Sequence, residues 1–236
     1  MAQFQTFGTS RASSVEVVNA FMRGIYAWMS AGLGITALVA FYTARTPALM
    51  EAIFTNQILL IGLIIAQFGL VVAISAAVHR MSGTMATGLF LLYSALTGLT
   101  LSSVLVVYAT SDVFKAFVTA AGMFGAMSIY GLTTKKDLTS WGSFLFMGLI
   151  GIVIAMVVNI FLRSPAMDFV ISGVGVLVFT GLTAYDTQKL KVMGERAPAN
   201  DATAVRRGTI LGALTLYLDF INLFLMLLRF FGGNRD

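Results

Sequence analysis

Residues 216–228 read LYLDFINLFLMLL, an almost wholly apolar run in which Asp219 is the only charged side chain. Such a run predicts a membrane helix, because about 20 apolar residues in helical conformation cross the hydrocarbon of a bilayer. A charged side chain in the middle of a membrane helix costs roughly 2.5 to 3.5 kcal/mol on insertion scales. Chains keep such groups mainly for function, so Asp219 is the first candidate functional residue.

The composition of the whole chain indicates a membrane protein. Of the 236 residues, 58% are hydrophobic and 11% are charged, whereas about 25% charged residues is usual in soluble domains. No polar segment is long enough to form a separate soluble domain. We therefore expect an all-α, polytopic membrane protein with a polar N-terminal tail at 1–19, a single transmembrane domain at 20–231 and a short C-terminal tail at 232–236.

Seven apolar segments are long enough to cross a bilayer as helices. They are residues 20–44, 57–78, 84–109, 112–134, 140–162, 168–190 and 208–231. A polar loop at 191–207 is predicted between the last two. Backbone groups exposed to lipid must be satisfied within a helix, so the last segment is predicted to cross the bilayer and not to turn back within it.

The orientation follows from Lys and Arg in the loops, which favour the cytoplasmic side. With a cytoplasmic N-terminus and seven crossings, the inside set is Arg11, Arg23, Arg80, Lys135, Lys136, Lys189, Lys191, Arg196, Arg206 and Arg207, and the outside set is Arg45, Lys115, Arg163, Arg229 and Arg235. If the last segment turned back within the membrane, Arg229 and Arg235 would move to the inside set. Both arrangements agree with the charge rule, so the charges determine the side of the N-terminus but not that of the C-terminus. Short loops and the lack of a signal-peptide pattern favour a bacterial cytoplasmic (inner) membrane.

Residue types exclude several classes of function. The absence of cysteine rules out disulfides, thiolate metal sites and cysteine nucleophiles. His79 is the only histidine, so a zinc site with the usual ligands is not expected. The net charge of +5 is scattered over short loops and forms no stripe, so we expect no nucleic-acid partner.

Eight of the ten acidic residues lie in tails, loops or helix mouths. The two that do not are Asp219 and Asp186, which lies in about the last turn of the sixth segment. The sixth and seventh segments are consecutive and should be antiparallel neighbours, which would bring the two acids close together. Two nearby carboxylates in a low-dielectric site cannot both ionise at low cost, so the pair would share a proton and change its charge with pH. Together with backbone carbonyls it would also offer ligands for calcium. A solvated helix end is the alternative interpretation of Asp186.

A stripe of small and polar residues includes Asp219. Gly208, Gly212, Thr215, Asp219 and Asn222 follow one another at intervals of 4, 3, 4 and 3 residues, which places them on one helix face. This stripe is predicted to face the bundle interior, where Thr215 and Asn222 would line a protected pathway. A packing seam with one tolerated acid is the alternative.

The segments GLTAYDTQKLK (181–191) and LGALTLYLDFINLFLMLLRFFG (211–232) resemble the transmembrane Bax inhibitor motif family. The resemblance extends over nearly the whole chain. It implies seven transmembrane helices with the last helix enclosed by the first six, and a pH-dependent calcium leak as the activity. It also implies that Asp186 and Asp219 are the pH-sensing pair, and that Arg80 in AAVHRMSG is the arginine that latches this pair.

The sequence therefore predicts a pH-regulated passive pathway for calcium or a related cation, with the bilayer and the cation as partners. We expect no enzymatic activity and no cofactor other than a calcium ion. One alternative is a membrane-embedded regulator that binds a membrane protease or a survival factor. A remote one is an intramembrane aspartyl protease, which also places an aspartate on each of two adjacent helices. The residues around Asp219 lack the Gly-x-Gly-Asp motif of those proteases.

The orientation can be tested by cysteine labelling, because the chain has no cysteine of its own. A single cysteine replacing Lys135 or Lys191 should react with an impermeant reagent only from the cytoplasmic side. One replacing Arg235 should react only from the opposite side. Labelling of position 235 from the cytoplasmic side would contradict seven crossings.

Overall fold

A computed structural model describes residues 4–197 and 201–232, with side chains described from residue 16 onward. Every regular element in this part of the chain is a helix: α1 (Phe4–Ala44), α2 (Pro47–Phe54), α3 (Gln57–Ala77), a 3-10 helix (Val78–Arg80), α4 (Gly83–Val107), α5 (Thr110–Thr133), α6 (Thr139–Leu162), α7 (Pro165–Glu195) and α8 (Ala202–Gly232). The predicted all-α class is confirmed. Arg235 and most of the predicted C-terminal tail lie outside the described residues.

Seven of the described helical segments are long and apolar enough to cross a membrane: Glu16–Ala44, Gln57–Arg80, Gly83–Val107, Thr110–Thr133, Thr139–Leu162, Pro165–Glu195 and Ala202–Gly232. They coincide with the seven predicted segments, so the predicted number of spans is confirmed. In α8, 67% of the most apolar stretch is buried, against 6% in the segment that contains α3. α8 thus has the burial that an enclosed helix requires, and its enclosure by the other six stays a prediction.

The connection between the last two spans was predicted wrongly. In place of a polar loop at 191–207, α7 continues to Glu195 and α8 begins at Ala202. Hydropathy follows the hydrocarbon of the bilayer, whereas charged residues such as Lys191 and Arg207 can extend a helix into the hydrated headgroup region.

The short helix α2 was not predicted from the sequence. It begins at Pro47, whose fixed φ and missing N–H suit the first turn of a helix. Its eight residues are too few to cross a bilayer. The next helix, α3, is capped by Asn56, whose side chain accepts hydrogen bonds from the backbone N–H groups of Ile58 and Leu59.

The chain forms two compact units. The first comprises Met1–Ser103 with Lys189–Thr215, and the second Val104–Gln188 with Leu216–Asp236. In the first unit, the Thr36 hydroxyl of α1 donates to the Ser94 carbonyl of α4 over 2.8 Å, and Gly98 of α4 lies against the Thr36 backbone. Small residues allow this close approach of two helix backbones, which is the usual basis of helix packing in membranes.

In the second unit, the loop between α5 and α6 is attached to α7 through one side chain. The amide of Gln188 accepts a hydrogen bond from the Leu138 N–H over 2.9 Å and donates one to the Lys136 carbonyl over 2.8 Å. In the same loop the Asp137 carboxylate accepts hydrogen bonds from the hydroxyl and the backbone N–H of Thr139, the first residue of α6. These hydrogen bonds lower the pKa of Asp137.

Two glycines bring α5 and α6 close to the same part of α7. A methyl group at Gly131 of α5 would overlap the carbonyl oxygen of Ala184 and would lie 3.0 Å from the Thr187 Cβ. A methyl group at Gly142 of α6 would overlap the ring of Tyr185. Residues 184–188 of α7 are therefore fixed in place by the end of α5, the loop that follows it and the start of α6.

The contact at Gly131 predicts a stability effect. Gly131→Ala should lower the free energy of unfolding by about 1 to 3 kcal/mol, because the added methyl group meets a backbone carbonyl that cannot rotate away. Gly125→Ala in the same helix is the matched control, since a methyl group there meets no atom within 4 Å. The control should be neutral or slightly stabilising. Denaturant unfolding in detergent measures both, and equal effects would contradict the close packing.

Candidate functional site

Asp219 lies near the middle of α8 and is only 6% exposed. It is seventeen residues after Ala202, about 26 Å along the helix. The next residue, Phe220, makes edge-to-face contacts with Phe117 and Phe124 of α5, with ring centroids 5.7 and 5.6 Å apart. Burial in such apolar surroundings makes an isolated carboxylate charge costly, so a partner or a proton is needed there.

Asp186 is half-buried and lies nine residues before the end of α7, about 13 Å from Glu195. The sequence predicts a position in about the last turn of the helix, whereas the extension of α7 to Glu195 puts Asp186 more than two turns before the helix end. It sits within the segment that Gly131, Gly142 and Gln188 hold in place. The backbone that carries Asp186 is thus rigidly positioned.

The register of α7 against α8 follows from the contact between Gly175 and Met226. A methyl group at Gly175 would lie 2.6 Å from the Met226 sulfur, so these residues face one another. From this contact, Asp186 is eleven residues further along α7 and Asp219 is seven residues back along α8. In antiparallel helices both steps lead toward the same end. The two aspartates therefore differ in axial position by about four residues, or about 6 Å.

The two aspartates also lie on the facing sides of their helices. At about 100° per residue, Asp186 is rotated by about 20° from Gly175 around α7, and Asp219 by about 20° from Met226 around α8. Side chains in a helix lean toward its N-terminus. Here that direction brings each carboxylate toward the level of the other. The register supports the predicted pair of Asp186 and Asp219, which stays a prediction.

In the first compact unit, the remaining parts of α7 and α8 pack in the same way. Leu190 of α7 lies 3.0 Å from the Cβ position of Gly212, and Met193 lies 3.8 Å from that of Gly208. A step forward along α7 thus corresponds to a step back along α8, as antiparallel packing requires. The glycines of the predicted stripe serve this packing.

The polar members of the stripe are less buried than predicted. Thr215 and Asn222 are half-buried, whereas Gly212 and Asp219 are buried. The Thr215 hydroxyl donates to the Leu211 carbonyl over 3.1 Å, and the Asn222 amide donates to the Leu218 carbonyl over 2.8 Å. Both side chains are therefore satisfied within α8, and their role in lining a pathway stays a prediction.

Arg80 ends the 3-10 helix, with an exposed side chain, in the first compact unit. Its role as a latch stays a prediction. Two arginines that the sequence indicates only as topology signals make contacts in that unit. Arg206 donates to the Thr87 hydroxyl over 3.3 Å and lies 5.8 Å from the ring of Trp28, and Arg207 donates to the His79 carbonyl over 3.0 Å.

A second buried acid was missed because it lies at a helix mouth in the sequence. Asp112, in the first turn of α5, is 5% exposed, and its carboxylate lies 3.5 Å from the Lys115 ammonium. No group of three or more His, Cys, Asp or Glu side chains that could hold a metal occurs in the described part of the chain. A calcium ion at Asp186 and Asp219 would therefore need carbonyl or water oxygens as further ligands.

Comparison with known proteins agrees with the motifs around the two aspartates. A protein-family model described as an inhibitor of apoptosis-promoting Bax1 matches residues 18–236. The chain is 57% identical to the inner membrane protein YbhL of Escherichia coli K12 over 215 residues, 91% of this chain and 92% of YbhL. It is 46% identical to an uncharacterized protein of Borreliella burgdorferi over 97% of this chain and 98% of that relative. The chain is a member of the Bax inhibitor family of membrane proteins.

Proposed function

We propose that this protein is a passive, pH-regulated leak pathway for calcium or a related cation in a bacterial inner membrane. The observation that carries the proposal is the register of α7 and α8, which puts Asp186 and Asp219 on facing sides and about one helical turn apart. Asp219 is buried and Asp186 is half-buried, so the protein encloses one acid more completely than the other.

The pair would act as a switch through its shared proton. When the pair holds one proton, its charge is a single negative charge spread over two carboxyl groups, and it costs less in a low-dielectric site than two charges. Loss of that proton as the pH rises adds a second charge and introduces repulsion between the helices. Ion binding and helix spacing at the pair would then both depend on pH.

A half-exposed row on α8 supports a route past the pair. In the second compact unit this row consists of Leu218, Asn222 and Leu225, at intervals of four and three residues. It forms one face of α8, and Asp219 borders it. The Asn222 amide nitrogen is used within the helix, so the side-chain oxygen is the atom that can contact a passing cation. We place the pathway along this face.

Replacing either acid tests the switch. Asp219→Asn keeps the size and hydrogen-bonding capacity of the side chain but removes the titratable proton. Calcium flux through the variant should lose most of its dependence on pH between about 6 and 8. Asp186→Asn should do the same, and the double variant should add little because the two groups share one proton. Purified protein in liposomes with a calcium indicator gives the measurement.

Asp112→Asn is the matched control, since Asp112 is as buried as Asp219 but lies at the start of α5. Its pH profile should remain that of the wild type. A wild-type profile in both pair variants would remove the pair from the mechanism. If the folded wild type shows no flux, the regulator alternative replaces the leak, and Asp219-dependent cleavage of a transmembrane peptide would indicate a protease.

The latch prediction is tested by Arg80→Ala. If the guanidinium holds the ionised pair by charge-assisted hydrogen bonds, the variant should fold and should leak more at the pH where the wild type is most closed. Arg23→Ala removes an exposed charge that is predicted to lie on the same side of the membrane and serves as the control. Cysteine labelling verifies that the topology is unchanged. Equal flux in the two variants would exclude Arg80 from the site.

A further inference from the structure

A cavity of about 480 Å³ lies in the first compact unit, where the ends of four helical segments meet. The segments are the start of the α1 span, the 3-10 helix after α3, the end of α7 and the start of α8. Its lining residues include Phe21, His79, Arg196, Arg207 and Leu211. Because these segments begin or end a candidate membrane span there, we expect the cavity to lie at the depth of the lipid headgroups.

The charge of this cavity has one sign. Lys189, Arg196 and Arg207 contribute three cationic groups to its lining. No acidic residue is among the described residues that line it. Three cations around one concave surface create a positive potential that attracts an anion, and guanidinium groups match the geometry of phosphate oxygens.

Arg207 has a donor with no partner in the described part of the chain. Its terminal nitrogen donates to the His79 carbonyl over 3.0 Å, whereas its buried Nε has no hydrogen-bond partner among the described residues. A buried donor without a partner costs free energy. Because this nitrogen is buried, an oxyanion in the cavity would accept a charge-assisted hydrogen bond from it only after the Arg207 side chain turns toward the cavity.

The remaining wall of the cavity is apolar. Phe21, Val78, Val192, Met193 and Leu211 line it. A small hydrated anion gains nothing from such a wall, whereas a hydrocarbon chain attached to the anion buries apolar surface against it. The combination of cationic groups and an apolar wall fits an amphiphile with an anionic head.

We propose that this cavity binds an anionic phospholipid, with its phosphate group at Arg196 and Arg207 and the start of an acyl chain against Val192 and Leu211. Basic pockets between transmembrane helices on the cytoplasmic side are a known type of lipid site. The loop charges predict that this end of the helices is cytoplasmic. Neither aspartate of the pair is among the residues that line this cavity, and the proposal does not depend on the leak activity.

Protection of a cysteine in the wall tests the site. Val192→Cys is labelled with a maleimide while the protein is reconstituted in phosphatidylcholine vesicles with an increasing share of phosphatidylglycerol. Bound lipid should slow labelling several-fold and to saturation. Exposed Ser140→Cys, outside the cavity, is the control for general effects of membrane charge. Equal slowing at both cysteines would overturn the proposal.

Charge variants in the Val192→Cys background identify the residues that hold the phosphate. Arg196→Gln with Arg207→Gln should abolish the protection by phosphatidylglycerol, whereas Lys135→Gln with Lys136→Gln removes two charges elsewhere and should leave it intact. If the first variant does not fold, Lys189→Gln with Arg196→Gln replaces it. The anion bound in the cavity could come from a phospholipid or from soluble phosphate. Adding inorganic phosphate to protein in phosphatidylcholine vesicles distinguishes these two sources. Protection by phosphate alone would indicate a soluble ligand and overturn the lipid assignment.

Discussion

The close packing of α7 against its neighbours is the constraint on which the rest of the arrangement depends. Between helices in a bilayer, apolar contacts gain little over contacts with lipid, so association relies on close backbone approach and on hydrogen bonds. Gly131 and Gly142 provide the approach from α5 and α6, and Gln188 adds two hydrogen bonds to the loop between them. Gly175 of α7 also packs against Met226 of α8, and this contact sets the register of the two helices that carry Asp186 and Asp219.

Burying the Asp219 carboxylate on α8 costs desolvation free energy. This cost explains why the surrounding side chains must pack closely enough to hold the carboxylate in place. A carboxylate with room to move would lean toward water and relieve the desolvation. Phe220, next to Asp219 in sequence, is wedged between Phe117 and Phe124 of α5, which limits rotation of α8 at this level. The proposed proton sharing needs this rigidity, because the repulsion between two carboxylates falls off as they separate.

The sequence was sufficient for the spans but not for the ends of the helices. Hydropathy located all seven spans because a bilayer demands long apolar runs, yet it missed α2, whose eight residues are too short to give such a signal. Hydropathy also predicted an end of the sixth segment at residue 190, although α7 continues to Glu195. Charged residues such as Lys191 lower the hydropathy but are compatible with a helix outside the hydrocarbon. Asp112 was passed over since position in the sequence does not reveal burial, which depends on how helices pack.

Spacing within one helix could predict that Asp219 lies on a small and polar face, but not which neighbour that face meets. The partner of each face is a tertiary property: Gly175 meets Met226 because of how two helices lie together. The contacts of Arg206 and Arg207 were missed for the same reason, although two adjacent arginines at the start of the last helix were a visible signal. A basic residue near a helix end can set the membrane orientation or can make a specific contact within the protein. The sequence does not distinguish these two roles, whereas the contacts in the structure do.

The small number of acids at the candidate site bears on what the proposed pathway could do with calcium. Tight calcium sites surround the ion with six to eight oxygen ligands, several of them carboxylates. Asp186 and Asp219 offer two carboxyl groups, and a shared proton reduces their combined charge further. Such a site binds weakly and releases quickly, and conduction requires ions to leave a site as readily as they enter it. A pair too weak to store calcium would therefore be suited to passing it, and protonation would weaken its binding of calcium further.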